Sequence, residues 1–212
     1  MDPTLLVFQL LVLIFSVVIH ELSHGYLAEY LGDPTARLAG RLTFNPLKHL
    51  EPFGSFILPA SLWFLTGGQM VFGWAKPVPY NPANLKDPLA GGGKIAAAGP
   101  ISNFLVAAVF GIIFRIFASA GFLTPFLALL FSIVIYVNIL LAVFNLVPIP
   151  PLDGSKVLFA LLPRSESSLR LMVFLERYGM MLVLFFIFFG FDLILPIINM
   201  LFRLVAGAPF GI

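Results

Sequence analysis

The chain contains no cysteine. Disulfides, thiol nucleophiles and thiolate metal sites are therefore excluded, and any metal it binds must be held by His, Asp or Glu. Charge is also scarce: only 10% of the 212 residues are Asp, Glu, Lys or Arg, and 12 basic residues against 10 acidic ones leave a formal net charge of +2. That balance is too weak to argue for a nucleic-acid partner, and the few basic residues read better as topology signals. The N-terminus lacks the make-up of a cleaved leader. Asp2 stands where a basic segment belongs and no small-residue cleavage site follows, so the first apolar segment is expected to be retained. Neither internal repeats nor low-complexity tracts occur.

What the chain has in abundance is apolar surface. With 60% hydrophobic residues and a mean hydropathy of +1.03, it lies far from soluble averages and is expected to be a multi-pass protein of the cell membrane, with the lipid bilayer as its partner. Spans are expected over about Thr4 to Leu31, Gly93 to Phe117 and Phe122 to Val147, the last two forming a hairpin about Ser119 to Gly121. A fourth apolar stretch covers about Leu171 to Phe189. A fifth, interrupted by Pro196, reaches about Val205, and the two can be read as one helix or two. Gly91 to Gly93 read as a flexible approach to the second span.

The first span stops at Gly32, Asp33 and Pro34. Between it and the second lies an irregular Pro- and Gly-rich region, Asp33 to Leu89. Its apolar "SFILPASLWFL" is too short to cross and suits an interfacial or re-entrant piece, while "QMVFGWAKPVPYNP" suggests an edge strand about Val71 to Pro79, open to pairing with an unwound substrate. Basic residues cluster after the first span (Arg37, Arg41, Lys48), before the second (Lys76, Lys86, Lys94) and after the third (Lys156, Arg164, Arg170). By the positive-inside rule all three groups are cytoplasmic, so the N-terminus is outside and the irregular region enters and leaves by one face.

His20, Glu21 and His24 spell H-E-x-x-H near the inner end of the first span. On a helix, positions i and i+4 share a face, so both imidazoles can reach one Zn²⁺ while the glutamate stands beside the attacking water. A chance match is a fair reading of this motif in a soluble helix. In a membrane, ionisable side chains cost a few kcal/mol each and persist where a partner or a function compensates them. A catalytic zinc site needs a third protein ligand. His49, Asp153 and, less plausibly, Asp192 or Glu51 are the candidates. Asp153 follows the third span in "NLVPIPPLDGSKV", on the face inferred for the histidines, where Pro148, Pro150 and Pro151 end the helix. An ordinary Asp-Gly surface turn is the plainer alternative. His49, in "NPLKHLEPFG", would complete an all-nitrogen site or else anchor its loop or the edge of a substrate.

Taken together, "HELSH" at 20 to 24, "AAGPISNF" with Gly99 and Asn103, and "NLVPIPPLDG" ending at Asp153 and Gly154 resemble the three motifs of the site-2 proteases, which are intramembrane zinc metalloproteases. "GRLTFNPLKHLEPFG" is similar to a loop of the compact branch that lacks a PDZ insertion. The resemblance implies one zinc ion per chain held by His20, His24 and Asp153, with Glu21 as general base. It also implies that Asn103 and Asn145 lie near the site to hold substrate backbone or the oxyanion, although Val147 before Pro148 departs from the simpler Asn-Pro-x-Pro form. Packing between helices is the rival use of both asparagines.

The expectation is therefore an all-α polytopic membrane protein in a single domain over residues 1–212. Its three-helix catalytic core would cover 4–163 and its one or two C-terminal helices 170–206, with a short re-entrant or interfacial β element between the first two core helices. Its activity would be hydrolysis of peptide bonds in or near transmembrane segments of membrane-protein substrates. A zinc-binding or transport protein, or an inactive substrate-binding homologue, is the alternative.

Overall fold

The computed structural model describes residues 3–207 except 66, 68–72 and 74. The described residues form eight α-helices: α1 (Pro3–Tyr30), α2 (Thr35–Leu38), α3 (Leu58–Leu65), α4 (Pro88–Ser119), α5 (Pro125–Asn145), α6 (Asp153–Leu161), α7 (Glu166–Phe185) and α8 (Leu195–Ala206). Four segments among them are long and apolar enough to cross a bilayer: Thr4–Tyr30, Pro88–Ser119, Pro125–Asn145 and Glu166–Leu193. The last is α7 continued through two irregular turns, Phe186–Gly190 and Phe191–Leu193. At 1.5 Å per residue α8 extends only about 18 Å, so the C-terminal apolar region makes one span and one shorter helix.

The long helices start where the sequence supplies both a cap and a proline. Asp87 accepts the amides of Leu89 and Ala90 at the head of α4, and Thr124 accepts that of Leu127 at the head of α5; Pro88 and Pro125 follow them. The caps satisfy amides that the first turn leaves unpaired, and proline brings no amide to satisfy. At the head of α7, Ser165 accepts the amide of Ser168.

α4 is the central element, packed against α1, α5, α6 and α8. One apolar core joins α4 and α5 to α8 through Phe114, Ile135, Ile139, Ile198 and Phe202, all buried. The far end of α8 is held by Arg115 of α4, whose Nε donates to the carbonyl of Val205 at 2.9 Å and whose Nη2 donates to that of Leu204. Carbonyls at a helix C-terminus have no intrahelical donor, so this side chain serves as their cap.

Two expectations need correction. No β element occurs among the described residues between α1 and α4. The apolar piece is helical instead, a wide turn at Phe53–Ile57 leading into α3. The described part of the expected strand, residues 73 and 75–79, has no regular secondary structure. Pro77 and Pro79 have no amide and cannot carry a ladder. Val71 and Phe72 lie outside the described residues. The glycines at 91–93 are also not a flexible approach, because all three are inside α4. A Cβ on Gly93 would stand 2.3 Å from Cβ of Ala160 and 3.1 Å from the carbonyl oxygen of Lys156, so its bare backbone is what lets α6 lie directly on α4.

Asp33 does more than end the first helix. It is fully buried. Its Oδ1 accepts from Thr35 and from Nδ2 of Asn84 at 2.7 Å, while Oδ2 accepts the amide of Asn81 at 2.6 Å. The end of α1 is thereby lashed to the turn that leads into α4. Burial pushes this carboxyl up, but the hydrogen bonds onto it from Thr35, Asn84 and Asn81 outweigh burial and hold it below its ordinary value. A lowered folded-state pKa contributes stability that is fully present above the unfolded value of about 3.9 and lost as pH falls through the folded one. Thermal unfolding in detergent followed from pH 6 downward should show that loss, and Asp33→Asn should be less stable at pH 6 with a flatter acid limb.

Candidate metal centre

His20, Glu21 and His24 lie two to three turns before the end of α1, and Asp153 is the first residue of α6. The carboxylate reaches α1 because the chain leaves α5 at Asn145, turns through Pro148, Pro150 and Pro151, and starts α6 against the end of α5. Gly154 makes that start possible: a Cβ there would stand 2.1 Å from the carbonyl oxygen of Leu146. Asp153 Oδ2 then lies 2.9 Å from His20 Nε2 and 3.2 Å from His24 Nε2. One ligand atom from each of the three residues lies within 4.8 Å of the others. The two rings meet edge to face at 89°, their centroids 4.7 Å apart.

The opposite ring nitrogens show what this group is built to hold. His24 Nδ1 lies 2.7 Å from the carbonyl oxygen of Ile95, and His20 Nδ1 lies 2.6 Å from Oδ1 of Asn103. A carbonyl oxygen can only accept, so Nδ1 carries the proton in both rings and each neutral ring turns its Nε2 lone pair toward the carboxylate. Two nitrogen lone pairs and an anionic oxygen facing one another are mutually repulsive unless a cation lies among them. Two imidazole nitrogens and one carboxylate oxygen, each imidazole braced from behind, form a three-ligand set suited to zinc.

Gly99 brings α4 against this group. A Cβ on it would stand 2.5 Å from His20 Nε2 and 2.6 Å from His24 Cε1. Glu21 is not a member of the group of three. Its Oε2 accepts the amide of Val78 at 2.8 Å, from the irregular segment before α4. That segment is itself gripped by a loop: Arg41 Nη2 donates to the carbonyls of Lys76 and Pro77 at 2.7 and 3.3 Å, and the amide of Lys76 donates to the carbonyl of His49 at 2.8 Å. Beside these elements lies a cavity of about 410 Å³ lined by Pro77, Tyr80, Gly93, Pro151, Lys156 and Glu176, with Lys156 Nζ 5.1 Å from the centre of the Tyr80 ring.

Of the remaining candidates, His49 is buried in its loop. Its Nε2–H donates to the carbonyl of Thr43 at 2.9 Å, and it is not a member of the group of three. Glu51 accepts the amide of Gly54, and neither it nor Asp192 joins the group. Asn103 is fully buried and committed to His20, with Nδ2 donating to the carbonyl of Ser16 and to Oδ1 of Asn138. The Asn145 amide donates to the carbonyl of Leu141 in its own helix. Asn138, not singled out from the sequence, is fully buried behind Asn103. The signal for it is the one that marks the histidines: a polar side chain in the middle of an apolar span needs a partner.

A bundle of membrane-length helices carrying H-E-x-x-H and a facing carboxylate defines a polytopic membrane metallopeptidase. The chain belongs to peptidase family M50, the site-2 proteases. Residues 117–190 match that family. The chain is 37% identical over 203 residues to "Putative zinc metalloprotease YwhC" of Bacillus subtilis, covering 92% of this chain and 88% of that one. It is also similar to two proteins given the same descriptive name. One is MJ0611 of Methanocaldococcus jannaschii, 46% identical over 69 residues, covering 31% of this chain and 32% of that one. The other is Rip2 of Mycolicibacterium smegmatis, 29% identical over 144 residues, covering 66% and 52%. No solved structure matches significantly. The family implies zinc, and the enzyme is a metalloprotease of the membrane.

Gly99→Ala tests whether this close approach is needed. The added methyl forces both rings aside, so zinc affinity measured against a competing chelator should fall by about 10-fold or more, while far-UV circular dichroism stays that of a helical protein.

Proposed function

We propose that this metalloprotease hydrolyses peptide bonds in or near the transmembrane segments of membrane-protein substrates, with one zinc ion per chain held by His20, His24 and Asp153 and with Glu21 as general base. The observation that carries the reading is the convergence of His20 and His24, on a membrane-length helix, with a carboxylate delivered from 129 residues further along the chain. Zinc at that position supplies Lewis acidity toward a peptide carbonyl and makes water a nucleophile near neutral pH. Asn103 and the carbonyl of Ile95 hold the two imidazoles with each Nε2 on the side of Asp153, where both could bind the ion. The Glu21 carboxylate takes the proton of the attacking water and hands it to the leaving amine as the peptide C–N bond breaks and a C–O bond forms. The amide of Val78 holds that carboxylate in place.

The basic clusters favour an N-terminus outside and a site nearer the cytoplasmic face. Contact between Arg164 and Asp87, at the heads of α7 and α4, joins two of those clusters on one side of the bundle. The cavity beside Lys156 and Tyr80 lies among the same elements, and Pro151 and Ser155 on its wall flank Asp153 in the chain. A substrate helix has its backbone satisfied, so it must be locally unwound or extended before its carbonyl can reach the site.

Glu21→Gln separates protease from carrier. Purified in detergent, the variant should retain about one zinc per chain by elemental analysis and lose roughly 10²–10⁴-fold in cleavage of a transmembrane test substrate. Undiminished cleavage would remove Glu21 from the mechanism, and membrane stubs that accumulate in cells carrying the variant would identify the natural substrates.

A further inference from the structure

We infer that Asn138 is a positioning residue of the metal site: through Asn103 it fixes which nitrogen of His20 carries the proton, and so keeps Nε2 free for the metal. This rests on the reading of His20 as a ligand. The argument is one of direction along a chain of hydrogen bonds. Asn138 Nδ2 donates to the carbonyl of Val134 at 2.9 Å and to Oγ of Ser16 at 2.9 Å. The carbonyl of Val134 can only accept and the Ser16 hydroxyl takes the second hydrogen, so the two together hold the amide against the turned orientation, which would set oxygen against oxygen. Its Oδ1 is thereby left facing Asn103, from whose Nδ2 it accepts at 2.9 Å; the second hydrogen of that nitrogen goes to the carbonyl of Ser16 at 3.2 Å. Asn103 in turn can present only Oδ1 to His20 Nδ1, at 2.6 Å. With Nδ1 protonated, the lone pair of the ring is at Nε2, facing Asp153 and His24 Nε2.

The relay joins three spanning helices. Ser16 is one turn before His20 on α1, Asn103 lies on α4 and Asn138 on α5, and each is almost or wholly closed to solvent. With water shut out, an amide left unpaired here has no other partner, so the relay holds one orientation. Val134 and Ser16 provide its two fixed ends, both backbone carbonyls. The outer partners of a metal-bound histidine orient its ring and raise its basicity, and here that function extends one residue further from the metal than Asn103.

The test is zinc affinity by chelator competition in detergent, with thermal unfolding measured in the presence and absence of zinc. Asn138→Leu keeps the size of the side chain and removes the amide. It should weaken zinc binding by about 10-fold, the lower end expected for such partners, and shrink the rise in Tm that zinc confers. Ser16→Ala removes one acceptor of Asn138 and should give a smaller loss in the same direction, which keeps the inference testable should the leucine variant not fold. Ile135→Ala, buried one turn away on α5, is the control for packing: it should lower Tm with and without zinc alike and leave affinity unchanged. Wild-type affinity in Asn138→Leu or in Ser16→Ala, or a loss in Ile135→Ala equal to theirs, would overturn the relay. A wild-type protein that takes up no zinc would overturn the reading of the site and the relay with it.

Discussion

The fold is organised around a cost. His20, His24 and Asp153 would each be expensive at membrane depth if left alone. A cation among them would offset that cost: the carboxylate oxygen lies 2.9 and 3.2 Å from the two imidazole Nε2 atoms, and each ring is satisfied from behind by α4, through Asn103 for His20 and the carbonyl of Ile95 for His24. Other features of the architecture serve that convergence. Gly99 lets α4 touch the rings, Gly93 lets α6 lie on α4, and Gly154 lets α6 start against the end of α5 so that its first residue can reach α1. In each case a side chain is absent where two backbones, or a backbone and a ligand, must meet.

The second organised region is the contact of residues 76–78 with α1. Loop residues Arg41 and His49 hold that segment through backbone carbonyls and an amide, and the segment in turn holds Glu21 through the amide of Val78. Glu21 and the two histidines, although close in sequence, thus have different supports. The imidazoles are braced from α4, and Glu21 by Val78 in the irregular region between α1 and α4.

Much of the site was legible in the sequence because its logic is local or energetic. H-E-x-x-H places two imidazoles on one face whatever the rest of the fold does. Asp153 was a candidate from the prolines before it and from the face inferred for the histidines, and the fold brings it beside them. The expected strand about Val71 to Pro79 read β-branched and aromatic residues as a sheet edge, whereas Pro77 and Pro79 leave too few amides for a ladder. Gly91 to Gly93 looked flexible because a glycine run has no side chains; packing against Ala160 makes Gly93 a contact surface instead.

The sequence by itself determined the membrane class, the helical spans and the placing of His20 and His24 on one helix face, because hydropathy and i, i+4 spacing act within one segment. Only the tertiary structure decided which polar residues belong together. His49 and Asn145 stood beside recognised motifs, yet each is spent on local backbone. Asn138 stood beside none, yet three helices bring it to Asn103 and Ser16. Hydrogen-bond direction depends on what faces each amide across the bundle, and spacing along one helix carries no record of that.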